Sequence, residues 1–113
     1  MKIVSVVLPT YNEKANIEKT IEKVFEQGKS LPGWEIHIIV ADDIRSSDDL
    51  EKVVKSLIKK DERSSPWGKR IHFLKVDPGL GVGLIKGHQY GQEFIHPDIL
   101  AQLDADGQVV LDV

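Results

Sequence analysis

An α/β fold with a parallel sheet is predicted here by three features. Apolar, strand-like runs alternate with amphipathic helical stretches in the order β-α-β-α-β-α-β. The strand runs are nearly continuous in apolar residues, which suits strands buried on both faces. Turn residues separate each element from the next. Together these features predict a sheet of about four parallel strands with helices on both faces. The 113 residues are enough for one small domain, so residues 1–113 are read as a single unit.

The first strand is "KIVSVVL", rich in β-branched residues. Asn12 is the expected helix cap and Glu13 the expected helix start. Ile17, Ile21, Val24 and Phe25 then fall on one helical stripe, and Gly28 closes the helix. "GKSLPG" is a loop and "WEIHIIVA" a second strand. "DDIRSSDD" is expected to be a loop in which Ser46 or Ser47 caps the next helix. That helix carries Leu50, Val53, Val54, Leu57 and Ile58 on one side. "RIHFLKV" is the third strand. "DPGLGVG" is expected as a glycine loop leading into a short helix that ends near Phe94. "HPD" breaks that helix, and "ILAQL" is the fourth strand.

Composition removes several classes of function. The net charge of −3 offers no basic surface for nucleic acid. No cysteine is present, so disulfides, thiolate metal sites and a cysteine nucleophile are excluded; this absence fits the cytosol. The apolar run at the N-terminus is too short for a signal peptide or a spanning helix.

In parallel sheets, ligands bind beyond the carboxyl ends of the strands. The segments to inspect are therefore "PTYNE", "DD" at 42–43, "DPGLGVG" and "DADGQ". Two look-alikes drop out. "GKS" at 28–30 resembles the end of a phosphate loop, but the required earlier glycine is Lys23. "GLGVGL" at 79–84 resembles a dinucleotide fingerprint, but its third glycine would be Leu84 or Lys86 and it follows the wrong strand. A tight turn and a helix start are the better reading there. The four histidines show no metal spacing and read as ordinary core or surface residues.

Asp43 is a candidate because a single acid after the second strand can accept a hydrogen bond from a ribose or base. Asp48 and Asp49 read as first-turn acids favoured by the helix dipole. Asp104 and Asp106 are the strongest signal. Residues two apart on an extended segment point the same way, so two carboxylates converge on one volume. Their repulsion is relieved by a divalent cation, and hard oxygen ligands suit Mg²⁺ or Mn²⁺. Gln108 adds a neutral oxygen.

"VSVVLPTYNE", "VADD", "GLGVG…KG…YG" and "LDADGQ" together resemble the N-terminal half of family 2 glycosyltransferases. They look most like the dolichol- or polyprenol-phosphate mannosyltransferase branch. That resemblance implies a Rossmann-like GT-A nucleotide-binding half. It implies that Pro9, Tyr11 and Glu13 line a nucleoside pocket, with Ala41 and Asp43 beside the base. It places Asp104 near the ribose or a metal-bound water and Ala105 close to the nucleotide. Asp106 would hold the cation, with Gln108 a second ligand and Asp104 nearby. The implied function is binding of a GDP- or UDP-sugar through the metal, for inverting transfer to a lipid phosphate or sugar hydroxyl. The expected partners are that donor and a polyprenyl-phosphate or glycan acceptor. Membrane contact would come only through segments outside this sequence, at the cytoplasmic face of a membrane. No catalytic base is identifiable, and it is expected beyond the D-x-D pair, after which the chain ends. The alternative reading is a non-catalytic nucleotide-binding fragment or regulatory module. A dehydrogenase reading lacks a glycine fingerprint after the first strand, and a receiver-like reading, with Asp77 as acceptor, lacks an evident fifth strand. One departure from the family stands out: Ile44 and Arg45 follow the acid pair where glycine and serine are usual.

Overall fold

A computed structural model describes residues 2–64, 70–103 and 109–112, with backbone alone at 60–64, 80 and 109–112. The chain forms β1 (Lys2–Thr10), α1 (Lys14–Gly28), β2 (Trp34–Asp43), α2 (Leu50–Ser64), β3 (Ile71–Val76), α3 (Leu80–Phe94), β4 (Ile99–Leu103) and β5 (Val109–Asp112). The sheet order is β3-β2-β1-β4-β5. The first four strands are parallel, and β5 pairs antiparallel with β4. This is the Rossmann-like α/β arrangement expected, with one strand more than the four foreseen. Order 3-2-1-4 reverses direction between β1 and β4, a switch point of the kind where such sheets open a crevice. It also differs from the 2-1-3-4-5 order of receiver-like folds.

Strand parity divides the core into two layers. Val4, Val6 and Leu8 of β1 and Ile36, Ile38 and Val40 of β2 pack with Ile17, Ile21, Val24 and Phe25 of α1 and Leu50 and Val54 of α2. The opposite face carries Val7, Ile39, Ala41 and Val76, with Leu84 and Tyr90 of α3 packed against them. Each fully buried Val or Ile contributes about 1.5–3 kcal/mol, which explains why the two central strands are almost wholly apolar.

Glycines bring α3 onto the sheet. An added Cβ at Gly87 would lie 2.5 Å from Val7 Cγ1, and one at Gly91 would lie 2.8 Å from Ser5 Oγ. The i, i+4 spacing puts both on the sheet-facing side of the helix. The helix begins at Leu80, so Gly81 and Gly83 are helical and not part of the expected loop; Gly79, at φ 118°, is the residue just before it. The turn before β4 is fixed to β1 by two bonds, Ile3 N–H to Asp98 Oδ2 at 2.7 Å and Asp98 N–H to the Ile3 carbonyl at 2.8 Å.

The helix caps differ from expectation. Asn12 does not cap α1: it adopts φ 51°, a left-handed conformation that asparagine tolerates, and Glu13 precedes the helix. The free N–H of Lys14 donates instead to Asp48 Oδ2, at 2.8 Å, from the loop after β2. Ser46 and Ser47 do not cap α2, which begins one residue after Asp49. Their polar groups are used between the two loops.

Candidate functional site

At the carboxyl edge, one cross-strand row reads Thr10, Asp42, Lys75. Asp42 is fully buried. Its Oδ1 accepts from the hydroxyls of Thr10 and Ser46, each at 2.8 Å, and its Oδ2 from the Lys75 ammonium at 2.9 Å. A buried carboxylate is tolerable only when paired and hydrogen-bonded, and Asp42 is both. It serves to join β1, β2 and β3.

The two loops above this row are laced together. Asn12 N–H donates to Ser46 Oγ at 3.0 Å, and Ser47 N–H donates to Asn12 Oδ1 at 2.8 Å. With the Lys14–Asp48 bond, these contacts hold "PTYNE" against "DDIRSSDD". The lacing places Tyr11 and Arg45 side by side, with the guanidinium carbon 5.2 Å from the Tyr11 ring centroid.

Asp43 points to the other face. It lies in β2, paired with Val76, and not in the loop expected for it. Its Oδ1 accepts from the Arg45 backbone N–H at 2.8 Å and from Arg45 Nε at 3.0 Å. Its Oδ2 accepts from Arg45 Nη2 at 2.8 Å. The Arg45 side chain, and then its backbone N–H, hold the Asp43 carboxyl below the usual carboxylate range against the opposing effect of burial. Asp43 in turn raises the pKa of Arg45. Such forked, charge-assisted bonds are among the stronger polar contacts a surface site can make.

A cavity of about 370 Å³ opens beside this pair. Its lining includes Pro9, Tyr11, Glu13, Ala41 and Asp43, the five residues proposed from sequence for a nucleoside pocket. Arg45, Asp77, Gly79 and Gly83 complete most of the wall. Three strand ends and the start of α3 thus contribute to one concave volume, with three acids (Glu13, Asp43 and Asp77), a guanidinium and an aromatic ring around it. The other four predicted residues, Asp104, Ala105, Asp106 and Gln108, lie outside the described residues. They follow Leu103, the last residue of β4, directly in sequence.

Sequence reasoning missed the Arg45 clamp and the division of labour between the two acids. The sequence D-x-R at 43–45 carries a signal for the first, since a basic residue two after an acid can fold back on it through a turn. A second polar row also went unread. His37 Nδ1 lies 3.2 Å from His72 Nε2, and His72 Nδ1 lies 3.1 Å from the Tyr90 hydroxyl. His37 Nε2 reaches Glu35 at 3.3 Å, and Glu35 pairs with Arg70. Alternation along β2 and β3 puts both histidines on the α3 face, away from the carboxyl edge.

Comparison with known proteins fits this architecture. The family described as "Glycosyl transferase family 2" matches residues 5–112. A dolichol-phosphate mannosyltransferase of Pyrococcus furiosus is 29% identical over 105 residues, covering 93% of this chain and 26% of that protein. The chain therefore spans about a quarter of the length of this curated relative.

Proposed function

The chain belongs to glycosyl transferase family 2, and we propose that its carboxyl-edge cleft binds the nucleoside part of a nucleotide-diphosphate sugar. The observation that carries this reading is the cleft itself. Five residues chosen from the family-like motifs line one cavity at the ligand-binding edge of the sheet. Tyr11, half exposed, offers a ring face at its mouth. Asp43 and Glu13 offer acceptors for base or ribose donors.

The diphosphate is assigned to the segment after β4. Asp104, Asp106 and Gln108 form a donor set of hard oxygens that fits Mg²⁺ or Mn²⁺. When bound, the cation neutralises the diphosphate leaving group. The protein's part is to orient the nucleoside and to hold the sugar carbon open to attack from the opposite face, which inverts it. The similarity to a dolichol-phosphate mannosyltransferase favours a polyprenyl-phosphate acceptor over a glycan hydroxyl. Such an acceptor is already anionic and needs little help from a general base. Among the described residues no helix is long and apolar enough to cross a membrane.

Calorimetric titration with GDP, UDP and their sugar conjugates, with and without Mn²⁺, tests the reading. Metal-dependent binding that is lost in Asp106→Ala is expected. A folded chain that ignores all four ligands would sink it.

A further inference from the structure

Arg45 occupies a particular place in the cleft. Its guanidinium is planar, faces the Tyr11 ring at 5.2 Å, and sends two N–H groups from Nε and Nη2 onto the two oxygens of Asp43. A nucleobase bound by these two residues would do the same. It would stack on the tyrosine and direct its N–H edge at the carboxylate. We infer that Arg45 is a base surrogate: in the free protein it occupies the Asp43 carboxylate that the N–H edge of a base would take, so guanine or uracil must displace it to bond Asp43, whereas adenine and cytosine, which gain nothing from the carboxylate, leave it in place. This rests on the donor-site reading given above.

Three observations make displacement feasible. The Arg45 side chain is 58% exposed, so it can swing into water with little desolvation cost. The Asp43 side chain is only 11% exposed, so without the guanidinium it needs another donor. The backbone N–H of residue 45 also bonds Asp43 Oδ1, and this contact remains when the side chain leaves, keeping the carboxylate oriented. The surrogate therefore keeps a partly buried anion paired while the cleft is empty.

The arrangement sets specificity as well as affinity. A carboxylate favours bases with a ring N–H. Guanine offers two adjacent donors and uracil one. Adenine and cytosine place a ring acceptor next to their amino group, which a carboxylate repels. In the wild-type chain the Arg45 fork competes with the favoured bases for the same oxygens, so it compresses the difference between the two groups.

The test compares GDP, UDP, ADP and CDP, with Mg²⁺, on the wild-type chain and on Arg45→Ala, by NMR titration. Loss of the positive charge affects all four diphosphates alike, so the readout is the ratio of affinities between GDP or UDP and ADP or CDP. That ratio is expected to rise about three- to tenfold in Arg45→Ala, the range of one recovered hydrogen bond. Adding Asp43→Asn should abolish the gain. In the wild type, the Arg45 Nε–H resonance should lose its bonded shift when GDP binds. An unchanged ratio with that resonance retained would show that Arg45 stays on Asp43, overturning the inference while the donor site stands. No binding of any diphosphate to either folded protein would overturn both.

Discussion

Two neighbouring aspartates show how one residue's step in parity decides its role. Asp42 falls on the face of Ile38 and Val40, beneath α1 and α2, where it is fully buried among Thr10, Ser46 and Lys75. Asp43 falls on the face of Ile39 and Ala41 and lines the cleft. Removing Asp42 strands two hydroxyls and an ammonium, so Asp42→Ala should cost about 2–4 kcal/mol in urea unfolding. The low end is favoured because Lys75 can turn to solvent. Arg45→Ala removes two guanidinium bonds from a carboxylate that keeps its backbone N–H partner, so it should destabilise the chain less than Asp42→Ala in the same unfolding series. His72 makes a pH-dependent contribution. Burial, then the nearby His37, lowers its pKa from 6.5 to about 4. Between those values the unfolded chain binds the proton and the folded chain does not. Stability is therefore full above pH 6.5 and falls as the pH drops toward 4. The ring is partly open to solvent, so the loss should be ~1–2 kcal/mol and not the full linkage value. Urea melts at pH 7 and pH 5 should differ in this sense, and His72→Phe should shrink the difference.

The helix α3 shows how packing overrides local propensity at the level of an element. Its glycines led the sequence reading to a loop through Gly83, because glycine is a poor helix former. In the fold, Gly87 and Gly91 are what allow the helix to approach Val7 and Ser5, and the helix takes in Gly81 and Gly83 as well. Position decides what each glycine tolerates. Nothing lies within 4 Å of a Cβ added at Gly81, which is exposed, so Gly81→Ala should stabilise the chain by about 0.5–1 kcal/mol. Gly87→Ala should destabilise it by about 1–3 kcal/mol, because Val7 sits in a central strand and cannot yield. Thermal melts of the two variants should move in opposite directions. Elsewhere the elements were legible from apolar spacing: the buried side of α1 is the predicted Ile17, Ile21, Val24 and Phe25, and β4 spans the predicted "ILAQL". The caps were not, because Asp48 reaches α1 from a loop more than thirty residues on. A cap supplied across the fold leaves no local pattern. The strand β5 was also missed, since "VVLD" is short and owes its pairing to β4 alone.

At the scale of the whole molecule, the sheet's order divides the proposed donor site into two parts. β1, β2 and β3 lie to one side of the reversal in strand order, and their ends build the described cleft. β4 lies on the other side, and the D-x-D segment follows it in sequence. A nucleotide laid across the switch point would leave its base with Tyr11 and Asp43 and its diphosphate with Asp104 and Asp106. That Pro9, Tyr11, Glu13, Ala41 and Asp43 share one cleft was legible because they sit at or just beyond strand ends that periodicity locates. Its electrostatics were not, because Arg45 had to be seen folded onto Asp43. The two parts should therefore fail separately. Asp104→Asn with Asp106→Asn should weaken Mn²⁺-dependent GDP or UDP binding by about tenfold or more, the scale of one lost charge-assisted contact. The same double variant should bind guanosine or uridine as the wild type does, since neither nucleoside carries a phosphate. Tyr11→Ala should do the reverse, lowering affinity for nucleoside and diphosphate by a similar factor in either metal condition, because stacking on the ring is shared by both ligands. Parallel titrations of these variants with nucleoside and diphosphate would reveal the division. If the D-x-D variants lost nucleoside binding as well, the base would have to lie across β4, and the cleft between β1, β2 and β3 would not be its site.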